Sequence, residues 1–475
     1  MNTSNLAGLI FFLAFAGMIL IHETGHFLAA RLFGIEVEEF GFGLPPRALV
    51  FWRLKGYFLT KNGKRIEIPG NFGLSFPWAD LIGRELKFTV DRLEDKFILR
   101  TLEVVEEVEE KPQRNSLASQ EQILVDGNGN AIQPQETSTV KTRTVNFGKV
   151  RGATELAETI GETHPGTEFS LNWLPIGGFV RPKGENDPNI PGGLAAANPW
   201  KRLGVLFAGP TMNLLTGLIV FIFLVHVDGY HDVNHVQLAA IAPNSPAAQA
   251  GLLPGDIFLQ LAGQTVTNFD SIRAIVSQNL DKPIEITVQR GEQTLTVTAT
   301  PRSKPPQNEG ALGIQMGEVI VPVVTWGDAL HYGALSVYDQ VHALVLLPAK
   351  LWRGTLAPAE GRFIGLKGIY DIFNITVSTD VQSREPATTS TPQSPSYNTL
   401  YLIAVLSISI GLLNAMPFPA LDGGRIIFVV PELIFRRRVP HQFENAVHAA
   451  GMIFLILLMI YINVMDFVNP LQLRP

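Results

Sequence analysis

Four apolar stretches, each long enough to approach or cross a hydrocarbon core, constrain this chain more than any other feature. Crossing a core of about 30 Å takes roughly 20 helical residues. The first stretch runs from Leu6 to about Ala30, the second from Leu203 to Val227, and the fourth from about Ala446 to Phe467. The third begins near Leu400 and reaches Leu413, breaks at Asn414-Ala-Met-Pro-Phe-Pro419, and resumes apolar from Ile426 to Phe435. Lipid offers backbone groups no partner, so such stretches are predicted to be helices. Composition agrees: with 46% hydrophobic and 17% charged residues, part of the chain belongs in a bilayer. No Lys or Arg precedes the first stretch, which is also long, so a cleaved signal peptide is not expected.

Basic residues near the span ends set the orientation. Arg31 follows the first span, Lys201-Arg202 precede the second, and Arg425 and Arg436-Arg437-Arg438 lie between the third and fourth. All fall on the cytoplasmic side if both termini lie outside. The region from Asp228 to about Tyr397 is then extracytoplasmic.

A net charge of −6 gives no footprint for nucleic acid, and the absence of cysteine excludes disulfides, thiolate metal sites and cysteine nucleophiles. Any metal must be held by His, Asp or Glu. His22-Glu-Thr-Gly-His26 matches H-E-x-x-H inside the first span. Histidines four apart share a helix face, so both imidazoles can reach one tetrahedral zinc, with Glu23 beside them as a base. A charge at mid-bilayer costs roughly 2.5–3.5 kcal/mol on insertion scales, which favours a functional reading over a satisfied polar pair. Asp422, in Ala420-Leu-Asp-Gly-Gly424, is the best candidate for a third ligand. It follows a Pro-x-Pro break of the kind tolerated at membrane depth only where it is buried or lines a cavity. Gly423 and Gly424 would let the main chain bend close to a metal. An ordinary turn aspartate fits these residues equally well.

Between the first two spans lies a long soluble segment. Asn62-Gly63, flanked by Phe58-Leu-Thr60 and Arg65-Ile-Glu-Ile68, predicts a hairpin. Leu102 to Lys111 reads as a solvated acidic face, and Asp126-Gly-Asn-Gly-Asn130 as a turn rather than a calcium loop. Asp380 to Ser396, rich in Ser, Thr and Pro, reads as a flexible linker. Leu330 to Trp352 reads as an amphipathic helix on the membrane surface, not a fifth span.

The stretch from His22 to Arg31 followed by Phe40-Gly-Phe-Gly43 resembles the first helix and loop of the site-2 proteases. Asn414-Ala-Met-Pro-Phe-Pro-Ala-Leu-Asp-Gly-Gly424 resembles that family's second metal motif. Leu174-Pro-Ile-Gly-Gly-Phe-Val180 and Gly209-Pro-Thr-Met-Asn213 are similar to the segments leading into its second helix. The resemblance is to the bacterial members that cut anti-sigma factors within the membrane. It implies that His22, His26 and Asp422 bind Zn2+, that Glu23 activates water, and that Asn414 helps hold substrate. It places an edge strand, able to pair with an unwound substrate, in Thr167 to Trp173. Two departures stand out: about a hundred residues replace a short hairpin, and a single PDZ module is visible. That module rests on Asn244-Ser-Pro-Ala-Ala-Gln-Ala-Gly-Leu-Leu-Pro-Gly-Asp256, Leu261-Ala-Gly263, strands at Ile284–Gln289 and Thr294–Thr300, and Leu312-Gly-Ile314. PDZ modules capture peptide C-termini by strand addition.

The expected fold is a membrane α-helical protein of about four transmembrane helices, with an extracytoplasmic α+β PDZ domain and a β-rich insertion between the first two helices. Its parts are residues 1–57 with the zinc motif, the insertion 58–166, and the edge strand and second helix 167–228. The PDZ domain 229–318, the amphipathic helix and linker 319–397, and the third and fourth helices 398–475 follow. The expected activity is an intramembrane zinc endopeptidase acting on single-span membrane proteins in a bacterial inner membrane. The competing reading is a membrane PDZ scaffold with an inactive metal site; intact His22, Glu23, His26 and Asp422 favour the enzyme. A metal transporter is disfavoured by the motif and by the lack of repeated helices.

Overall fold

The computed structural model describes residues 2–71, 78–93, 96–108, 139–146, 153–185, 187–306, 309–353, 363–384 and 395–469. The Asp126–Asn130 turn and the end of the acidic run, residues 109–111, lie outside the described residues. The chain forms two compact units, residues 1–14, 210–416 and 452–475, and residues 15–209 and 417–451.

Helix α1 (Thr3–Leu32) covers the first apolar stretch. Gly34, at a φ of 75° open to glycine, turns the chain out of it, and the Ile35 amide returns to the Ala30 carbonyl at 2.8 Å. Strand β1 (Val37–Arg53) leads to the insertion. There β2 (Gly56–Thr60) and β3 (Arg65–Ile68) form the hairpin that Asn62-Gly63 predicts, with Phe58 opposite Ile66. Strands β4 (Glu85–Leu93), β5 (Lys96–Val108), β6 (Thr139–Asn146) and β7 (Ala153–His164) complete a sheet of order β3-β2-β7-β4-β5-β6. A parallel β3–β5 pairing closes five of these strands into a ring, with β6 outside it. Phe58, Ile66, Leu86, Phe88, Val90, Leu99, Leu102 and Ile160 fill it, each at most 2% exposed, so the insertion has a core of its own. Leu102 and Val104 point into that core, so the start of the acidic run is half a strand interior, not wholly a solvated face.

Strand β8 (Glu168–Pro182) precedes α2 (Pro199–Asp228). A second, all-antiparallel sheet follows, built from β9 (Tyr230–Ile241), with helix α3 (Pro246–Gln249), β10 (Ile257–Leu261), β11 (Gln264–Thr265) and helix α4 (Phe269–Gln278). Its other strands are β12 (Ile284–Arg290), β13 (Gln293–Ala299) and β14 (Ile314–Val321), in the order β13-β12-β10-β9-β14 with β11 on β10. Asn268 and Ser271 cap α4 reciprocally, and α4 buries Ile272 and Ile275 against Leu238, Phe258 and Ile286. Asp256 is fully buried here, bonded to Arg290 at 2.6 and 2.7 Å and to the Leu253 amide at 2.9 Å.

Helices α5 (Trp326–Trp352) and α6 (Leu366–Gln382) come next. The linker reading starts too early: Asp380 belongs to α6, is buried, and accepts the Asn398 and Thr399 amides at 3.0 and 2.9 Å. It thereby caps α7 (Asn398–Ala415) from another helix. Within the same unit α7 packs on α2, Ser407 donating to the Asn213 carbonyl at 2.9 Å. Helix α8 (Asp422–Phe435) and helix α9 (His441–Val468) end the described chain. Among the described residues four helices, α1, α2, α7 and α9, are long and apolar enough to span a membrane, and α5 is not one of them.

Candidate metal centre

His22, Glu23 and His26 stand on consecutive turns of α1, and Asp422 opens α8. The Nε2 atoms of His22 and His26 lie 3.2 Å apart, with Asp422 Oδ2 at 3.0 Å from the first and 3.3 Å from the second. A tetrahedral ion bonded at about 2.0 Å holds its donors roughly 3.3 Å apart, so these three atoms have the mutual spacing that zinc requires. All three side chains are largely buried, at 9%, 12% and 19% exposure. Two imidazoles and one carboxylate are also a donor set suited to zinc.

Neighbouring elements orient the donors. His26 Nδ1 lies 2.8 Å from the Val205 carbonyl on α2 and donates its proton there, leaving Nε2 as the metal-facing lone pair. Gly209, one turn farther along α2, faces the pair of rings. A Cβ there would fall 2.4 Å from His26 Nε2 and 2.7 Å from His22 Nε2. Only glycine leaves that space open.

Glu23 Oε2 accepts the Val180 amide at 3.0 Å, and among the described residues Oε1 has no hydrogen bond. Val180 belongs to β8, whose pairing with β1 is unusual. The two strands fold back on themselves and interleave, giving the order 178–182, 37–42, 168–172, 47–53; the outer pairings are antiparallel, whereas 39–42 and 168–171 run in the same direction. Phe40 faces Val180 on one side and Phe169 on the other; Ser170 in turn faces both Gly41 and Val50. Thr167 to Trp173 is therefore not an edge strand, because residues 168–171 are paired on both flanks. Among the described residues the free edge beside Glu23 is 178–182. Glu39 locks the arrangement from inside, bonded to Arg47 at 2.7 Å, Ser170 at 2.6 Å and Arg181 at 3.1 Å, one partner from each other segment. Burial alone would raise the Glu39 pKa, but the bonds from Arg47 and Ser170 outweigh it and hold it below the usual carboxylate range.

The bend before Asp422 differs from expectation. Gly423 and Gly424 are helical; the left-handed residue is Ala420, at φ 79°. Gly424 is needed for a close approach to the Phe418 carbonyl, 2.2 Å from where a Cβ would sit. Arg425, one turn on, pairs with Glu185, and Arg202 on α2 pairs with Glu432 at 2.6 Å. Asn414 stands in the last turn of α7. Sequence reasoning singled out the three donors, the base and Asn414, but not the roles of the Val180 amide, the Val205 carbonyl or Gly209.

Spans, buried donors and an adjacent carboxylate together define the class of intramembrane metalloproteases. The sequence profile of Peptidase family M50 matches residues 10–59 and 153–458, three quarters of the chain, and the chain belongs to that family. It is similar to CPE1693 of Clostridium perfringens, 31% identical over 312 residues that cover 64% of this chain and 85% of that protein. The "Regulator of sigma-W protease RasP" of Bacillus subtilis is 24% identical, covering 95% of this chain and 96% of that one. The "Zinc metalloprotease RasP" of Oceanobacillus iheyensis is 25% identical with the same coverage. The chain is thus a multi-pass membrane zinc metalloprotease of the site-2 type.

Proposed function

We propose that His22, His26 and Asp422 hold the zinc, that Glu23 moves the proton, and that the chain cuts single-span membrane proteins near or within their membrane segments. The observation carrying this reading is the donor triangle of 3.0–3.3 Å with Glu23 on the same helix. Zinc held there supplies Lewis-acid polarisation of the scissile carbonyl and acidifies the attacking water. The rest of the work falls to the chain. The Val180 amide holds Glu23 Oε2, which presents Oε1 to take a proton from water and pass it to the leaving amine. A helical substrate carbonyl is occupied by its own hydrogen bond, so the substrate must unwind first. An extended substrate strand would find its partner at the 178–182 edge, next to the base. Asn414 would help hold that substrate.

The name of the Bacillus subtilis relative supports anti-sigma factors as the substrate class. The basic residues between spans support a bacterial inner-membrane protein with both termini and residues 229–318 outside. We read the β9–β14 domain as a PDZ module that binds peptide C-termini; two helices on an antiparallel sheet suit that reading. The test is Glu23→Gln in purified, zinc-loaded protein with a model transmembrane peptide in liposomes. The variant should keep its zinc and lose cleavage, whereas His22→Ala and Asp422→Ala should lose zinc as well. Normal cleavage by Glu23→Gln would sink the mechanism and revive a scaffold role.

A further inference from the structure

We propose that His448, on α9, is a positioning residue that fixes the bend delivering Asp422 to the donor set; this rests on the reading of Asp422 as a metal ligand. In the segment leading into α8 two prolines, Pro417 and Pro419, remove backbone donors. Ala420 follows in the left-handed region, an uncommon conformation for a residue with a Cβ, so the surroundings must hold it. Among the described residues its amide finds no backbone acceptor. It donates to His448 Nδ1 at 2.9 Å.

The rest of the local packing serves the same contact. Gly451 lies three residues on, on the same face of α9, and a Cβ there would come within 2.5 Å of the Pro419 Cβ. His448 and Gly451 thus form a seat for Pro419-Ala420. The imidazole also packs on Phe428 of α8, ring centroids 5.5 Å apart, so it touches both the bend and the helix that Asp422 opens. Accepting at Nδ1 puts the proton of a neutral ring on Nε2, which is buried without a hydrogen-bond partner among the described residues. Among the described residues, a histidine inside an apolar span therefore has one polar bond, and that bond is to the bend. Only Leu421 separates Ala420 from Asp422, and a change in φ at Ala420 swings everything after it. The donor triangle leaves no slack for such a swing.

The experiment compares three variants of the full-length protein in detergent, scored by zinc content and by zinc loss to a chelator, with gel filtration as the folding control. His448→Asn keeps an acceptor where Nδ1 was and should retain zinc as the wild type does. His448→Gln places its acceptor at the Nε2 position, and His448→Leu has none. Both should hold zinc about 10–100-fold more weakly, the usual effect of removing a group that orients a metal ligand. If His448→Leu fails to fold, the comparison of Asn with Gln decides alone. Equal zinc retention by Asn and Gln variants overturns the proposal, as does failure of the Asn variant alongside Gln. Asp422→Ala is run in parallel. If it keeps zinc, the ligand reading fails and the positioning role with it. If it loses zinc while the His448 variants match wild type, only the positioning role fails.

Discussion

Adding one methyl group at Gly209 should empty the metal site while leaving the fold in place. The new carbon in Gly209→Ala would sit 2.4 Å from His26 Nε2 and 2.7 Å from His22 Nε2. A non-bonded carbon needs about 3.5 Å, so at least one ring must retreat by about 1 Å. Metal–ligand distances tolerate about 0.2 Å, so that retreat is several times what a zinc site accepts. His26 cannot move without stretching its bond to Val205, which is already at 2.8 Å. Zinc affinity should fall by about 100-fold or more, equivalent to about 2.7 kcal/mol. Competition with a chromogenic chelator measures the affinity, and thermal unfolding of the metal-free proteins checks that the fold survives. Gly17→Ala is the control, because a Cβ there meets nothing within 4 Å in the same α1 span. Wild-type zinc affinity in folded Gly209→Ala protein would refute the steric argument and the geometry behind it.

The insertion should be dispensable for chemistry. Replacing Leu59 to His164 with a short turn should leave cleavage of a model transmembrane peptide detectable, since the β-ring has its own core, and complete inactivity of a folded, zinc-loaded variant would show otherwise. Deleting Val233 to Met316 should preserve cleavage of short substrates and permit cleavage of full-length ones normally spared until trimmed; loss of both, at normal zinc content, would end the idea of the domain as a selector. The β9–β14 domain should also be acid-sensitive through Asp256. Burial alone would raise its pKa, but the Arg290 fork and the Leu253 amide outweigh burial and hold it below the ordinary value of about 3.9. A group depressed in this way contributes stability above its unfolded pKa and loses it as the pH falls through the folded one. The gap in thermal stability between wild type and Asp256→Asn in fragment 229–321 should therefore be largest near pH 6 and shrink below about pH 4. A constant gap down to pH 2 would rule this out.

The donors were legible because metal chemistry needs fixed residue types at fixed spacing, and an apolar helix makes His22, Glu23 and His26 conspicuous. The four spans were legible for the related reason that lipid admits few exceptions. The β1–β8 pairing was not. Its partners lie about 130 residues apart, and nothing in Thr167 to Trp173 reveals that both of its flanks are taken by the two halves of one other strand. Gly209 reads in sequence as a mild helix weakener, and its purpose depends on which rings stand opposite. Asp380 was lost in a run of Ser, Thr and Pro, although it acts as the cap of a helix that starts eighteen residues later.

The interleaved strands have a consequence for how such a chain could grow. Arg53, where β1 ends, lies directly opposite Glu168, where β8 begins, and the two side chains pair at 3.0 Å. The insertion's described strands, β2 to β7, are therefore entered from Arg53 and left toward Glu168 through a single doorway, shut by the sheet itself. Closing a loop whose ends are pinned this way grows dearer only with the logarithm of its length, about 0.6 kcal/mol for each doubling. From a two-residue turn to a hundred-residue barrel is nearly six doublings, about 3.5 kcal/mol, a cost the insertion's own core can offset. The strand beside Glu23 would not register the exchange, which makes the doorway a natural place for lineages, or engineers, to graft a new recognition module onto an unchanged protease.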